Sequence, residues 1–324
     1  MEKFISEKGI KRSDHVLRSK GKEGAKEGVT LRYTRLGSGP KMLHLANGVG
    51  TDFFMWRPFL QWVLTFDPDF FSKFTLIAQS YRGLFHPDDA EFSAGCEITI
   101  DNCVEDVREV MTHAGIAKYD TVLGWSTGAQ VALALGAKYP TLISRLFLFN
   151  PSVGHTLHTV LQPLKPMPAV VGRFVSAVIH TGFGFLKTLI PSKVWDILKI
   201  VAYSTGFRWF LEVLAFTGGF PPEQPVYFHQ YMKDVFFTRM QTRALLDLIL
   251  SLDAPCPPHS TTLPHPTVVL SGYPDFITGV YHSYQLQREM KKCKHITFSM
   301  GSHFLLLEWP ELASRYLVEF LNDA

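Results

Sequence analysis

The sequence predicts an α/β chain: a mostly parallel sheet covered by helices on both faces, interrupted by one helical insertion. Three observations carry that expectation. Short, continuously apolar runs of strand length alternate with helical patterns in two blocks, before about residue 152 and after about residue 263. Strands apolar throughout belong to parallel sheets, whose two faces are both packed. Between 153 and 262 the alternation stops, and that stretch reads as helical and apolar, with six acidic residues. The 324-residue length and a composition 46% apolar and 19% charged suit one large packed domain with an insertion, or two small ones.

Taken in order, residues 1 to about 27 hold eight Lys or Arg and five Asp or Glu with few apolar anchors, so a flexible basic leader is expected there. Residues 29–36 alternate as a strand, and Gly37-Ser38-Gly39-Pro40 turns the chain. A short apolar strand over 42–46 runs into Asn47-Gly48-Val49-Gly50 and then a helix through Trp56 and Trp62. A buried strand over 74–79 leads to Tyr81-Arg82-Gly83. An amphipathic helix is expected over 102–113, a strand over 121–124, a helix over 127–138 and a strand over 143–150. After the insertion the pattern resumes with strands over 267–271 and 296–300 and helices over 280–291 and 309–322. The sheet-forming core is therefore expected over 28–152 and 263–324, with a helical cap over 153–262. Within the cap, Ser192 can start a helix that places Val194, Trp195, Ile197, Leu198 and Val201 on one face. The proline-rich stretch 254–266 is a stiff return to the sheet.

Several partners are disfavoured. A net charge of +3 is too small to argue for nucleic acid. Cys96, Cys103, Cys256 and Cys293 show neither metal-binding spacing nor a disulfide framework, and no metal or cofactor is expected. The first residues lack an apolar core of signal-peptide length, which makes a reducing, cytoplasmic setting the default. The most apolar window, 168–190, is broken by Arg173, His180, Lys187 and three glycines. Each central Arg or Lys would cost about 2.5–3.5 kcal/mol in a bilayer, so no transmembrane segment is expected. Apolar cap surface near Lys187, Lys193 and Lys199 could instead bring the cap to a membrane surface as a peripheral contact.

The chemistry is concentrated in Gly124-Trp125-Ser126-Thr127-Gly128, between a strand pattern and a helical one. Glycines on either side of a serine permit a very tight strand-to-helix turn, which lifts the hydroxyl above the sheet and points helical N–H groups at whatever it attacks. A serine hydroxyl needs a base, and the base needs a partner that fixes its tautomer. Asp275 in Gly272-Tyr273-Pro274-Asp275 and His303 in Gly301-Ser302-His303 each follow an expected strand, at the sheet edge where reacting groups collect. Asp247 and Asp253 are weaker rivals because they precede the proline-rich return and follow no strand. Asn150 ends a strand but, as an amide, stabilises a histidinium poorly. His155, His158 and His180 are candidates for the lining of a cap cavity. The cap aromatics Phe174, Phe183, Phe185, Trp195, Phe207, Trp209, Phe210 and Phe216 read mainly as packing, with some available to a substrate.

With Asn47-Gly48-Val49-Gly50, Tyr81-Arg82-Gly83 and Glu308-Trp309-Pro310, these motifs resemble the α/β-hydrolase superfamily, in the group that carries a helical cap. The resemblance runs from about residue 29 to 322 outside the cap. It implies Ser126 as nucleophile, His303 as general base and then acid, Asp275 as its orienting carboxylate, and the backbone N–H groups of Thr127 and Val49 as the oxyanion hole. Two departures stand out. Asn47 occupies the place where the family usually has histidine, so the first loop must remake its hydrogen bonds. Ser80 precedes Tyr81-Arg82-Gly83 where the family often has aspartate, which removes a structural contact. The implied function is a serine hydrolase acting on carboxylic esters or thioesters with an apolar, lipid-like acyl part. Carbon–carbon bond hydrolysis, acyl transfer (suggested by the spacing of His303 and Glu308) and a catalytically silent binding protein remain alternatives. An aspartate-nucleophile reaction is disfavoured by Ser126.

Overall fold

A computed structural model describes residues 2–19, 29–85, 98–158, 168–189, 194, 197 and 223–323. The strands are β1 (Arg12–Arg18), β2 (Thr30–Gly37), β3 (Lys41–Ala46), β4 (Phe74–Gln79), β5 (Thr121–Trp125), β6 (Leu146–Phe149), β7 (Thr267–Tyr273) and β8 (Cys293–Ser299). They form one sheet in the order β1-β2-β4-β3-β5-β6-β7-β8. β2 pairs antiparallel with both β1 and β4, and from β4 to β8 every pairing is parallel. The central strands β4, β5 and β6 are buried along their whole length, as continuous apolar runs require. Helices Arg57–Phe66, Ile100–His113, Thr127–Lys138 and Pro310–Asn322 cover them. The side-chain oxygen of Thr99 accepts the N–H of Asn102 at 3.1 Å and so fixes the start of the second of these.

The amino-terminal residues differ from the expected leader. Glu2–Glu7 is a helix whose Phe4 and Ile5 are buried in the core. Arg12–Arg18 is an edge strand paired with β2 from Arg12↔Leu36 to Arg18↔Thr30. Charge conceals this strand in the sequence because an edge strand has little apolar surface to bury. Its register is held instead by Asp14, which accepts from Thr34 Oγ1 at 2.6 Å, and by His15 stacked on Tyr33 at 4.7 Å. Residues 20–28 lie outside the described residues. The strand expected over 143–150 is shorter: Pro140–Leu142 is a 3-10 turn, Ile143 makes an isolated bridge with Tyr119, and the strand begins at Leu146.

The long insertion leaves after β6 and returns at β7, which are sheet neighbours. Its described elements include helices Ala169–Leu189, Glu223–Tyr231 and Thr242–Ser251 and a π-helical segment Met232–Phe236. Among the described residues no helix is long and apolar enough to cross a membrane. The expected helix start at Ser192, with Trp195, Leu198 and Val201, and the aromatics Phe207, Trp209, Phe210 and Phe216 lie outside the described residues.

Candidate active site

Ser126 follows β5 at the amino end of helix Thr127–Lys138, with φ 56° and ψ −113°, a strained conformation for a residue with a side chain. The strain is held from both sides. Ser126 N–H donates to Phe149 C=O of the neighbouring strand at 2.9 Å, and Ser126 C=O accepts from Ala129 N–H at 3.0 Å. Both glycines of the turn are sterically required. A Cβ on Gly128 would stand 2.0 Å from Ala46 O, and one on Gly124 would stand 2.7 Å from Ala129 N. The turn thus presses the helix start against the end of β3. As the first residue of its helix, Thr127 has an N–H with no acceptor within that helix.

Asp275 and His303 meet beyond the ends of β7 and β8. His303 Nδ1 lies 2.9 Å from Asp275 Oδ2, and Asp275 is fully buried. With the proton on Nδ1, His303 donates to the carboxylate and leaves Nε2 as the free base. Asp275 Oδ1 accepts the N–H groups of Ile277 (2.8 Å) and Thr278 (2.9 Å), while Oδ2 also accepts from Asn150 Nδ2 at 2.6 Å. Burial pushes this carboxyl up, but the charge and hydrogen bond of His303, with the two backbone donors, outweigh it and hold the group below its ordinary value. A Cβ on Gly272 would fall 2.3 Å from Ser302 O, so glycine there lets the two loops close on each other. Trp125 ties them to the serine turn: its Nε1 donates to His303 C=O at 3.0 Å, and the two rings are 6.0 Å apart.

The first loop is held by Asn47. Asn47 Nδ2 donates to Gln79 O at 2.8 Å, Trp56 Nε1 donates to Asn47 Oδ1 at 2.9 Å, and Tyr81 OH donates to Asn47 O at 2.5 Å. Val49 follows in a turn closed by Thr51 N–H to Gly48 C=O at 3.3 Å. The insertion packs onto this loop. Tyr231 OH donates to Gly50 O at 2.9 Å, and a Cβ on Gly50 would lie 2.7 Å from the ring of Phe236. On the other side Phe228 meets Phe304, next to His303, edge to face at 5.1 Å.

Other sequence candidates go elsewhere. Asp253 accepts Leu157 N–H at 3.1 Å and lies among His158, His180 and Ser176, apart from the hydrogen bonds of Asp275. Asp247 is buried in helix Thr242–Ser251. Phe174 and Phe185 are exposed on helix Ala169–Leu189, and Phe183 is half-buried. Arg82 finds its acid on helix Ile100–His113 and not at position 80. Its Nε is 2.8 Å from Asp106 Oδ2, and burial pushes that carboxyl up to about 6 despite the guanidinium. The contacts of Thr278, Trp125 and Asp106 are not legible in the sequence because they join positions distant along the chain. Only the placement of Thr278 just after Asp275 was a local signal, since a hydroxyl there can reach the carboxylate, and it does so at 3.0 Å.

A family model described as the alpha/beta hydrolase fold matches residues 48–190. Among solved structures, the chain is similar to a hydrolase from Pseudomonas aeruginosa PA01, at 19% identity over 95% of this chain and 98% of that one, with a TM-score of 0.66. It is also similar to a thermophilic esterase from Thermogutta terrifontis, at 15% identity over 95% and 98%, TM-score 0.64. The epoxide hydrolase CorEH superposes with a TM-score of 0.67 at 17% identity, over 97% of this chain and 99% of that one. No curated protein matches the sequence. An esterase and an epoxide hydrolase on one architecture show that substrate does not follow from the fold. The matching family model, the sheet order and these superpositions agree on the architecture: the chain has the α/β-hydrolase fold.

Proposed function

We propose that the chain is a serine hydrolase that cleaves carboxylic esters, or thioesters, with an apolar, lipid-like acyl part. The observation that carries this reading is the buried His303–Asp275 hydrogen bond, joined through Trp125 to the strained turn of Ser126. Ser126 Oγ attacks the carbonyl carbon as its proton passes to His303 Nε2. The N–H groups of Thr127 and Val49 hold the oxyanion. Collapse expels the alcohol or thiol, which takes the proton from His303, and leaves the acyl group on Ser126. Water then adds by the same route in reverse, and the carboxylic acid departs. Asp275 keeps the imidazole in the Nδ1–H tautomer and stabilises its charged form.

Glu308 Oε2 accepts Ser302 N–H at 2.5 Å. Its spacing from His303 therefore has a structural reason, and adds none for an acyl acceptor other than water. The preference for an apolar acyl part rests on the insertion, whose Phe228, Met232, Val235 and Phe236 pack against the core beside the two site loops. Peripheral contact with a lipid surface belongs to the same reading, through Val170, Phe174, Val178 and Phe185, all exposed along helix Ala169–Leu189. So does a cytoplasmic setting.

The test is labelling with a fluorophosphonate probe, together with hydrolysis of a soluble butyrate ester. The wild type is expected to label and to turn over ester. Ser126→Ala should not label and should lose kcat by roughly 10⁴–10⁶, while keeping its fold. A wild type that neither labels nor hydrolyses would favour a silent binding protein, and full activity in Ser126→Ala would refute the assignment.

A further inference from the structure

We propose that His155, His158 and Asp253 form a binding site for a divalent transition cation, zinc first, at the neck of the insertion. Each offers one ligand atom, and these atoms all lie within 4.8 Å of one another. His158 Nε2 is 3.6 Å from Asp253 Oδ2. A tetrahedral zinc with bonds of about 2.0–2.2 Å holds its ligand atoms about 3.4 Å apart, so the two imidazoles, stacked in the free protein, must turn out of the stack toward the carboxylate to complete the set. His155 is exposed and His158 half-buried, so both rings have room for that movement.

The surroundings prepare the carboxylate and the backbone. Asp253 is 9% exposed; its Oδ1 accepts Leu157 N–H at 3.1 Å, and Ser176 Oγ donates to its Oδ2. Outer hydrogen bonds of this kind orient metal-ligating carboxylates. His180 Nε2, from helix Ala169–Leu189, is 3.3 Å from the same Oδ2. His155 has φ 52°, in the left-handed region that histidine enters more readily than most residues, and its ring stacks on His158 at 4.8 Å. The two chain segments that carry the ligands are already clamped. Gly154 bridges to Pro255, Thr156 N–H donates to Leu252 C=O at 3.3 Å, and Gln130 Nε2 donates to Ala254 C=O at 3.3 Å.

The donor set chooses the ion. Two imidazoles and one carboxylate suit zinc, cobalt, nickel or copper, whereas calcium and magnesium ask for oxygen ligands in greater number. The position explains what the ion would do. Residues 154–158 carry the chain away from β6, and 252–255 bring it back toward β7. One cation shared between them staples both strands of the neck, with a fourth position left to water. The catalytic steps proposed for Ser126 do not involve it.

Chelator-stripped protein is titrated with Co²⁺, followed by visible absorption, and with Zn²⁺ by calorimetry. The thermal midpoint is recorded with and without Zn²⁺. The expected result is one saturable site per chain, a midpoint that rises with zinc, and the same behaviour in Ser126→Ala. His155→Gln and His158→Gln should each weaken binding about tenfold or more, and the double variant should lose both the cobalt spectrum and the zinc-dependent midpoint rise. His155 is exposed, so the midpoint of His155→Gln without metal should match the wild type. Absence of saturable binding at about tenfold excess of metal, or binding undiminished in the double variant, would overturn the site. Because the readout is binding, failure here and failure of the hydrolase reading are separable.

Discussion

Two buried carboxyls near His303 are shifted in opposite directions, and the difference lies in what they face. Asp275 faces an imidazole and two backbone N–H groups, which favour its ionised form; Glu308 meets only the N–H and hydroxyl of Ser302, and burial outweighs them and pushes it up to about 7 from an ordinary 4.5. A depressed acid contributes stability above its ordinary range and loses it as pH falls through the folded value. A raised acid does the reverse: the fold keeps a proton that the unfolded chain has released, so stability declines as pH rises from about 4.5 to about 7. Glu308→Gln keeps an acceptor for Ser302 N–H and removes the titration. It should flatten that decline by up to about 3 kcal/mol, as read by urea unfolding across the window. An unchanged slope would show that Glu308 does not titrate there. On the catalytic side, Asp275→Asn is expected to lower kcat on the order of 10⁴-fold while Asp253→Asn changes it little. The reverse ranking in steady-state kinetics would move the orienting acid.

At the scale of the element, the strand-to-helix turn depends on contact with a neighbouring strand more than on local propensity. Gly128 sits where its missing Cβ would overlap the backbone of Ala46, which cannot withdraw without distorting β3 and the Asn47 loop. Gly182 is the contrasting case: it lies within helix Ala169–Leu189, and a Cβ there would have nothing within 4 Å. Gly128→Ala should therefore destabilise by about 1–3 kcal/mol or prevent folding. Gly182→Ala should be neutral or stabilise by about 0.5–1 kcal/mol. Thermal midpoints of the two variants, measured side by side, check the pair. A tolerated Gly128→Ala would mean that the elbow is not pressed against β3.

For the whole molecule, the insertion is fastened to the same loops that carry the candidate residues. Tyr231 reaches Gly50, Phe236 crowds Gly50, and Phe228 meets Phe304. An acyl chain that leaves water for surroundings of this kind gains about 0.8 kcal/mol per methylene, or roughly fourfold in kcat/KM per carbon while the chain still fits. Polar groups on the acyl part would lack partners there. Soluble esters of one leaving group and increasing acyl length should therefore rise in kcat/KM from acetate to medium chains. A maximum at acetate with a steady fall thereafter would leave a small-ester hydrolase.

The sequence by itself determined the order of the strands and helices from β2 to β6 and from β7 onward, and the serine turn, because apolar periodicity and flanking glycines are local signals. It also placed Asp275 and His303 at strand ends, where the topology brings them to one edge. Only the tertiary structure decided what those residues touch. The His303–Asp275 bond, the Asn150 donor, the Arg82–Asp106 pair and the Trp125 tether each join positions far apart in the chain. β1 was hidden for a related reason: an edge strand is stabilised by backbone pairing to β2, which leaves no apolar period to read. The histidines of the insertion were visible one by one. That His158 and His180 both reach the Asp253 carboxylate, carried by the returning segment of the neck, follows from the insertion closing on itself, which no local pattern encodes.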